Sequence, residues 1–196
     1  MHQLFDDARF DHLKMTKGMA KSIFRPMRPS DFEEAYLSIS QDQGEELSRI
    51  IKERKFKNIV EFGTSFGIST IYLAQGAMET GGHIITTELI ESKAIKAIEN
   101  FKSAGVSELI EVRIGDAMET LRGHDNSIDL LLLDGWKDLY LPLFRMLEPN
   151  FHKTTIIYVD NADMADSRKF LAAIGQDGKY LLQPQHNGKV MMISIK

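Results

Sequence analysis

From residue 57 onward, short apolar runs alternate with longer stretches whose apolar residues recur at helical spacing. The strand-like runs are 58–62 (NIVEF), 83–87 (HIITT), 109–114 (LIEVRI), 128–133 (IDLLLL) and 155–159 (TIIYV). Helical runs follow them at 69–78, 92–104, 117–121, 139–147 and 165–174. This alternation predicts an α/β fold, a doubly wound and mostly parallel sheet with helices on both faces. The end of the chain breaks the rhythm. Runs at 180–183 and 190–195 flank Pro184-Gln-His-Asn-Gly-Lys189. The Asn187-Gly188 pair inside it favours a tight reversal, so the last two strands are expected as an antiparallel hairpin.

Upstream the pattern is looser. Ser40 precedes a periodic segment that runs to Lys55, with Leu47, Ile50 and Ile51 on one face. Residues 21–30 (KSIFRPMRPS) carry two prolines and three cations and read as a linker, because proline interrupts both regular structures. Residues 1–20 place Leu4, Phe5, Phe10, Leu13, Met15 and Met19 at rough helical spacing. The expected organisation is one domain over 1–196: an N-terminal helical segment and linker at 1–35, acting as a lid or a dimer contact, and an α/β core at 36–196.

Composition narrows the class. With 196 residues, 43% of them hydrophobic and 27% charged, the chain is long enough to bury one full core. It has no cysteine, which excludes disulfides and thiolate metal sites and fits a reducing cytoplasm. The start of the chain has acids where a signal peptide needs cations and an apolar run. No stretch has the length of a membrane span. The formal charge of −4 leaves no footprint for bulk nucleic-acid binding. The six histidines show no zinc-like spacing, and surface or capping roles are expected for them.

Candidate chemistry collects where strands end. Ile128–Leu133 runs into Asp134-Gly-Trp-Lys-Asp-Leu-Tyr140, and Ile156–Val159 runs into Asp160-Asn161. If the two runs are neighbouring parallel strands, both acids share the carboxyl edge where open α/β folds bind ligands. Two carboxylates and an amide oxygen form a hard-cation set. Each acid taken singly is also a good helix cap, and Lys137 taken singly is a solvent-facing lysine at a helix start. A lysine is electrostatically disfavoured there, which favours a chemical role.

The other strand ends suit a nucleoside. The first leads into Glu61-Phe-Gly63-Thr-Ser65-Phe-Gly67-Ile-Ser69, a glycine-bearing turn that lets a ligand approach the backbone. Its spacing is G-x-x-x-G, not the dinucleotide fingerprint G-x-G-x-x-G. The second ends at Glu88, whose carboxylate can accept from both hydroxyls of a ribose. The third ends at Gly115-Asp116-Ala117, where an acid could meet an adenine amino group. The structural alternatives are a tight turn, a dipole-favoured acid, and a capping box between Asp116 and Glu119.

These motifs together resemble the class I S-adenosylmethionine-dependent methyltransferases, and more narrowly the metal-dependent O-methyltransferases of the catechol and caffeoyl-CoA type. The resemblance runs from about residue 36 to the end, and includes Ile39-Ser-Gln-Asp-Gln-Gly44. It implies a Rossmann-like seven-stranded sheet with a C-terminal antiparallel hairpin. It implies S-adenosylmethionine held by Glu61, Gly63, Ser65, Gly67, Ser69, Glu88, Gly115, Asp116, Ala117, Asp134 and Trp136, with Trp136 along the adenine or anchoring the core. It implies a divalent cation, Mg²⁺, on Asp134, Asp160 and Asn161, and Lys137 as general base. Tyr140 is expected to pack or brace the loop.

The expected partner is a small vicinal dihydroxy aromatic; relatives are often homodimers. In catechol O-methyltransferase a glutamate near the C-terminus holds the second hydroxyl. Here nothing after Asp177 is acidic, and the tail offers His186, Asn187 and Lys189, which argues for a more open acceptor site than catechol needs. Two alternatives keep the fold: methylation of a hydroxylated uridine in transfer RNA, with Lys21, Arg25 and Arg28 as an RNA contact, and a non-catalytic cofactor-binding protein. A nicotinamide-dependent dehydrogenase lacks support, since the fingerprint and any Tyr-x-x-x-Lys pair are absent.

Overall fold

The computed structural model describes residues 39–196. The expected N-terminal segment, and with it Lys21, Arg25 and Arg28, lies outside the described residues. The elements in order are α1 (Gln41–Arg54), β1 (Asn58–Phe62), α2 (Ile68–Thr80), β2 (His83–Glu88), α3 (Glu91–Ala104), β3 (Ile110–Ile114), the single turn α4 (Ala117–Thr120), β4 (Ile128–Leu133), α5 (Tyr140–Leu147), β5 (Phe151–Val159), α6 (Ala165–Gly175), β6 (Tyr180–Gln185) and β7 (Val190–Ile195). They form one seven-stranded sheet in the order β3-β2-β1-β4-β5-β7-β6. Strands β1 to β5 pair in parallel. β7 is antiparallel to both β5 and β6. The Rossmann-like expectation and the closing hairpin are therefore both realised. The hairpin also has a consequence that periodicity does not reveal: the last strand inserts beside β5 and leaves β6 at the edge. Pro184, which cannot donate to a ladder, sits on that edge strand, where proline is tolerated.

Alternate residues of each central strand face opposite sides of the sheet. Val60, Phe62, Leu131, Leu133, Ile157 and Val159 pack with Leu143 and Phe144 of α5 and Phe170 and Ile174 of α6. Ile59, Leu130, Leu132, Ile156 and Tyr158 pack with Leu47 and Ile51 of α1 and Ile71 and Ala74 of α2. Both faces are buried, and this explains why 128–133 reads as a nearly continuous apolar run rather than an alternating one. Its one polar residue, Asp129, sits at the amino edge, where its carboxylate accepts the backbone N–H groups of Lys57 (2.7 Å) and Asn58 (2.9 Å). β5 starts four residues earlier than its apolar run, at Phe151, because Phe151 pairs with Ile128 across a register shift that leaves the polar residues between it and Ile156 out of the ladder with β4.

α1 begins at a capping box. The Ser40 hydroxyl accepts from the Gln43 N–H, and the Gln43 side chain accepts from the Ser40 N–H. The helix lies tightly on α2 because Gly44 has no side chain: a Cβ there would come 2.3 Å from the Tyr72 ring. The far end of the fold is tied differently. Glu148, after α5, accepts from Lys179 Nζ (2.6 Å), from Arg145 Nη1 (2.9 Å) and from the Tyr180 hydroxyl. Burial alone would raise its pKa, but these donors outweigh it and hold the carboxyl down at about 2.

A depressed carboxyl stabilises the fold above its unfolded pKa, and that contribution is lost as pH falls through the folded value. Glu148→Gln is expected to cost about 1–2 kcal/mol at neutral pH, a modest figure because Arg145 and Lys179 are near half exposed and solvent-screened. It should also flatten the acid limb of stability between about pH 4.5 and 2. Urea denaturation across that range checks it, and an unchanged acid limb would refute the assignment.

Candidate active site

The parallel register builds the site. Phe62 pairs with Thr87 and with Leu133, and Leu133 pairs with Val159. The next residue of each strand is therefore level with its neighbours: Glu88, Gly63, Asp134 and Asp160 form a row along the carboxyl edge. Backbone bonds hold the row, from Gly63 N to Thr87 O (3.2 Å), Asp134 N to Phe62 O (2.9 Å) and Asp160 N to Leu133 O (3.0 Å). The order reverses between β1 and β4, so the row crosses the switch point where α/β sheets open a ligand crevice. Strands lie about 4.8 Å apart, which puts Glu88 about 10 Å from Asp134.

On the nucleoside side, Glu88 is buried, with one oxygen accepting Ser65 N (2.8 Å) and the other Ile90 N (2.9 Å). Ser65 adopts a left-handed backbone (φ 49), which carries the chain around Glu88. Lys93 lies buried beside this loop, 3.5 Å from the Ser65 hydroxyl, a neighbour the sequence pattern did not suggest. Gly67 caps α2. Gly115 donates its N–H to Glu88 O (2.8 Å), which brings Asp116 and Ala117 alongside. Asp116 is exposed and caps α4 through Met118 N (2.8 Å). The capping box, the structural alternative for this pair, is only half formed, since Glu119 bonds Arg122 instead.

Glu61 departs from the role expected for it. It is fully buried, and its two oxygens accept from the hydroxyls of Ser69 (2.6 Å), Thr70 (2.6 Å) and Thr86 (2.6 Å). Burial pushes its pKa up against these hydrogen bonds. Its carboxylate thus has no surface for a ligand; with Ser69 it braces the loop from beneath.

On the other side of the switch point, Asp134 and Asp160 follow the paired residues Leu133 and Val159, so their carboxyls are electrostatic neighbours. Burial first, and the Asp160 charge second, hold Asp134 well above the usual carboxylate range, opposed by Lys137. Like charges directly opposite on neighbouring strands are destabilising, so this pair is a poor packing motif and one that could hold a cation. Asn161 follows in the left-handed region (φ 51) that asparagine tolerates. Among the described residues no three His, Cys, Asp or Glu side chains converge. Two carboxylates, with the amide of Asn161 next in the chain, are an all-oxygen set of the kind a hard divalent ion takes.

Lys137 turns inward. Its Nζ lies 3.5 Å from Asp134 Oδ1 and 5.3 Å from the Tyr140 ring centre, with its side chain 16% exposed. It is not the solvent-facing lysine that local pattern alone would also allow. Trp136 is half-buried against the α5–α6 side of the core. Tyr140 has no exposure, and its hydroxyl donates to Leu133 O (2.9 Å) and reaches Asp160 O (3.4 Å). It pins together the two strand ends that carry the acids. Tyr140→Phe should lower stability by about 1 kcal/mol, the net value of a hydrogen bond, while leaving the core packed. Chemical denaturation measures this; no loss would mean that the hydroxyl braces nothing.

Three side chains from distant parts of the chain complete the site and were not legible locally. Gln43 donates to Asp160 Oδ1 (2.7 Å). Glu46, one helical turn on, accepts from the Tyr158 hydroxyl (3.0 Å) and pairs with His186 Nε2 (2.8 Å). His186 is thus partly buried in contact with Glu46, not a surface histidine. The signal for Gln43 was its spacing from Ser40, three residues apart, which marks a capping box but says nothing of Asp160.

A parallel sheet with this strand order, its cofactor-type loop after β1 and its acids after β4 and β5 define a class I methyltransferase fold. Solved structures agree. The S-adenosylhomocysteine-bound methyltransferase of Podospora anserina superposes with a TM-score of 0.76 at 22% identity, covering 98% of this chain and 87% of that one. The Bacillus cereus O-methyltransferase in complex with S-adenosylhomocysteine gives 0.72 at 22% identity, covering 95% and 90%. A sequence profile of the O-methyltransferase family matches residues 25–167, and the chain belongs to that family. Among curated proteins it is 30% identical over 129 residues to the catechol O-methyltransferase of Niastella koreensis, covering 64% of this chain and 58% of the relative. It is 30% identical over 126 residues to that of Mycobacterium tuberculosis, covering 64% and 57%. The match thus spans less than two thirds of these relatives' length. Among the described residues, no helix is long and apolar enough to cross a membrane.

Proposed function

We propose that this chain transfers a methyl group from S-adenosylmethionine to a hydroxyl of a small acceptor, a vicinal dihydroxy aromatic, chelated by a divalent cation on Asp134, Asp160 and Asn161. The observation that carries this reading is the buried Asp134–Asp160 pair, level in register, with Lys137 Nζ 3.5 Å from one of them. Asp134, Asp160 and Asn161 would hold Mg²⁺, which would supply Lewis acidity that lowers the pKa of a chelated hydroxyl and orients it. Lys137 takes the hydroxyl proton. The acceptor oxygen then attacks the methyl carbon in line, forming the O–C bond as the C–S bond breaks, a step whose rate depends on close and correct approach. Glu88 binds the ribose hydroxyls, Asp116 the adenine amino group, and Gly63, Ser65, Gly67, Gly115, Ala117 and Trp136 shape the walls of the cofactor site.

The turn from Asn161 to α6, at Ala165, is short, and Met164 on it is 49% exposed. This supports an acceptor site open to bulkier substrates. The test is a panel of small catechols, bulky ortho-dihydroxy aromatics and purified transfer RNA with labelled S-adenosylmethionine, with Mg²⁺ or with EDTA. Cation-dependent labelling of bulky dihydroxy acceptors is expected. Labelling that survives EDTA would sink the metal role, and labelling of RNA alone would replace the small-molecule reading.

A further inference from the structure

Gln43 occupies an unusual position for a neutral side chain. It lies in the first turn of α1, 7% exposed, 117 residues from the acid it touches. Both ends of its amide are engaged. Oε1 accepts the Ser40 N–H at 2.8 Å, and Nε2 donates to Asp160 Oδ1 at 2.7 Å. The chemistry of the partners fixes which end is which: a backbone N–H can only donate, and a carboxylate accepts. The terminal torsion of an aspartate is broad and has no strong preference of its own. A single donor anchored to a helix start is therefore enough to select one orientation of the Asp160 carboxylate.

The anchor is itself held. Glu46 bonds Tyr158 on the same face of α1, one turn from Gln43, and Tyr158 lies two residues before Asp160 on β5. His186 at the hairpin holds Glu46 in turn. Two rungs thus join helix and strand, Gln43 to Asp160 and Glu46 to Tyr158, with the close contact of Gly44 and Tyr72 seating the helix.

We infer that Gln43 is a positioning residue for the cation site: it orients Asp160 from α1, so that cation affinity depends on the start of that helix as well as on the strand ends. The inference rests on the proposed cation role of Asp134, Asp160 and Asn161. Residues that orient metal ligands from behind typically change affinity about 10–100-fold when removed. The test is Mn²⁺ binding to the full chain, followed by electron paramagnetic resonance, with S-adenosylhomocysteine affinity measured on the same samples.

Gln43→Met keeps the volume and removes the donor. It should weaken Mn²⁺ at least about tenfold and leave S-adenosylhomocysteine affinity within about twofold, a difference that a purely structural role would not produce. Ser40→Ala is the control, since it weakens the same cap without removing the bond to Asp160. It should lower the unfolding temperature yet keep Mn²⁺ affinity. Three results overturn the inference: Gln43→Met binding Mn²⁺ as the wild type does, Ser40→Ala losing Mn²⁺ as much as Gln43→Met, or Gln43→Met losing both ligands together. If the wild type itself binds no Mn²⁺, the cation reading falls and takes the inference with it, which is a distinct outcome.

Discussion

Asp160→Asn should abolish methyl transfer and at the same time stabilise the cation-free protein. The asparagine keeps the shape of the side chain, and its oxygen can still accept from Gln43 while its amide donates towards Asp134. It removes the buried Asp160 charge from beside Asp134, whose side chain is 8% exposed. Replacing a poorly compensated buried charge by a neutral isostere is often stabilising, here by about 1–2 kcal/mol. Activity should fall by at least about three powers of ten. A lost oxygen donor forfeits several kcal/mol of charge stabilisation, and roughly 1.4 kcal/mol corresponds to tenfold in rate.

S-adenosylhomocysteine affinity should change little, because Glu88 and the loop after β1 sit on the other side of the switch point. The measurements are unfolding in EDTA, turnover with Mg²⁺, and calorimetric cofactor binding. A variant that is less stable and still active would show that the acid pair is structural. Opposite signs for stability and activity are the signature of a site held together at the expense of the fold.

Gly63→Ala should be the most damaging single methyl in the structure. Gly63 has φ +104, and a Cβ there would lie 2.7 Å from the Asp134 carbonyl oxygen, 2.8 Å from its carbonyl carbon and 2.8 Å from Gly135 Cα. All three are backbone atoms, so no rotamer change can relieve the clash. The ends of β1 and β4 would have to separate, and with them the level row that puts Asp134 beside Asp160. A cost of about 3 kcal/mol or more is expected, combining backbone strain with overpacking, together with loss of cofactor binding.

Gly105→Ala separates the two contributions. Its φ is +72 and nothing lies within 4 Å of a Cβ there, so only left-handed strain of about 1–2 kcal/mol remains. Guanidinium unfolding of both variants decides the matter. Equal losses would mean that the close approach of Gly63 to the Asp134 backbone is not what selects glycine.

The glycine at 63 was readable as a turn signal, but its reason was not. Local pattern allowed a sharp bend or an approach to a ligand; the structure adds a third partner, the backbone of Asp134 and Gly135 just past the end of β4. Glu61 shows the same limit in reverse. Its place at the end of β1 suggested contact with a cofactor, whereas three hydroxyls from α2 and β2 surround it. Lys137 and Tyr140 stood three and six residues from Asp134 in the sequence, and the turn between β4 and α5, with Trp136 extended and Lys137–Leu139 a single tight helical turn, brings them back to it. The inward lysine and the bracing tyrosine both follow that geometry.

The amino-acid pattern by itself determined the alternation of strands and helices, the parallel sheet, the closing hairpin and the arrival of Glu88, Asp134 and Asp160 at strand ends. Each of these depends on periodicity or on turn chemistry within a few residues, and local sterics and apolar burial suffice to specify them. Only the tertiary structure decided that β7 lies between β5 and β6, that Glu61 is sealed, that His186 holds Glu46, and that Gln43 reaches Asp160. Those contacts join residues up to 140 positions apart, and no local propensity encodes them. They exist because two buried faces, packed at crystal-like density, leave each side chain only one place to go.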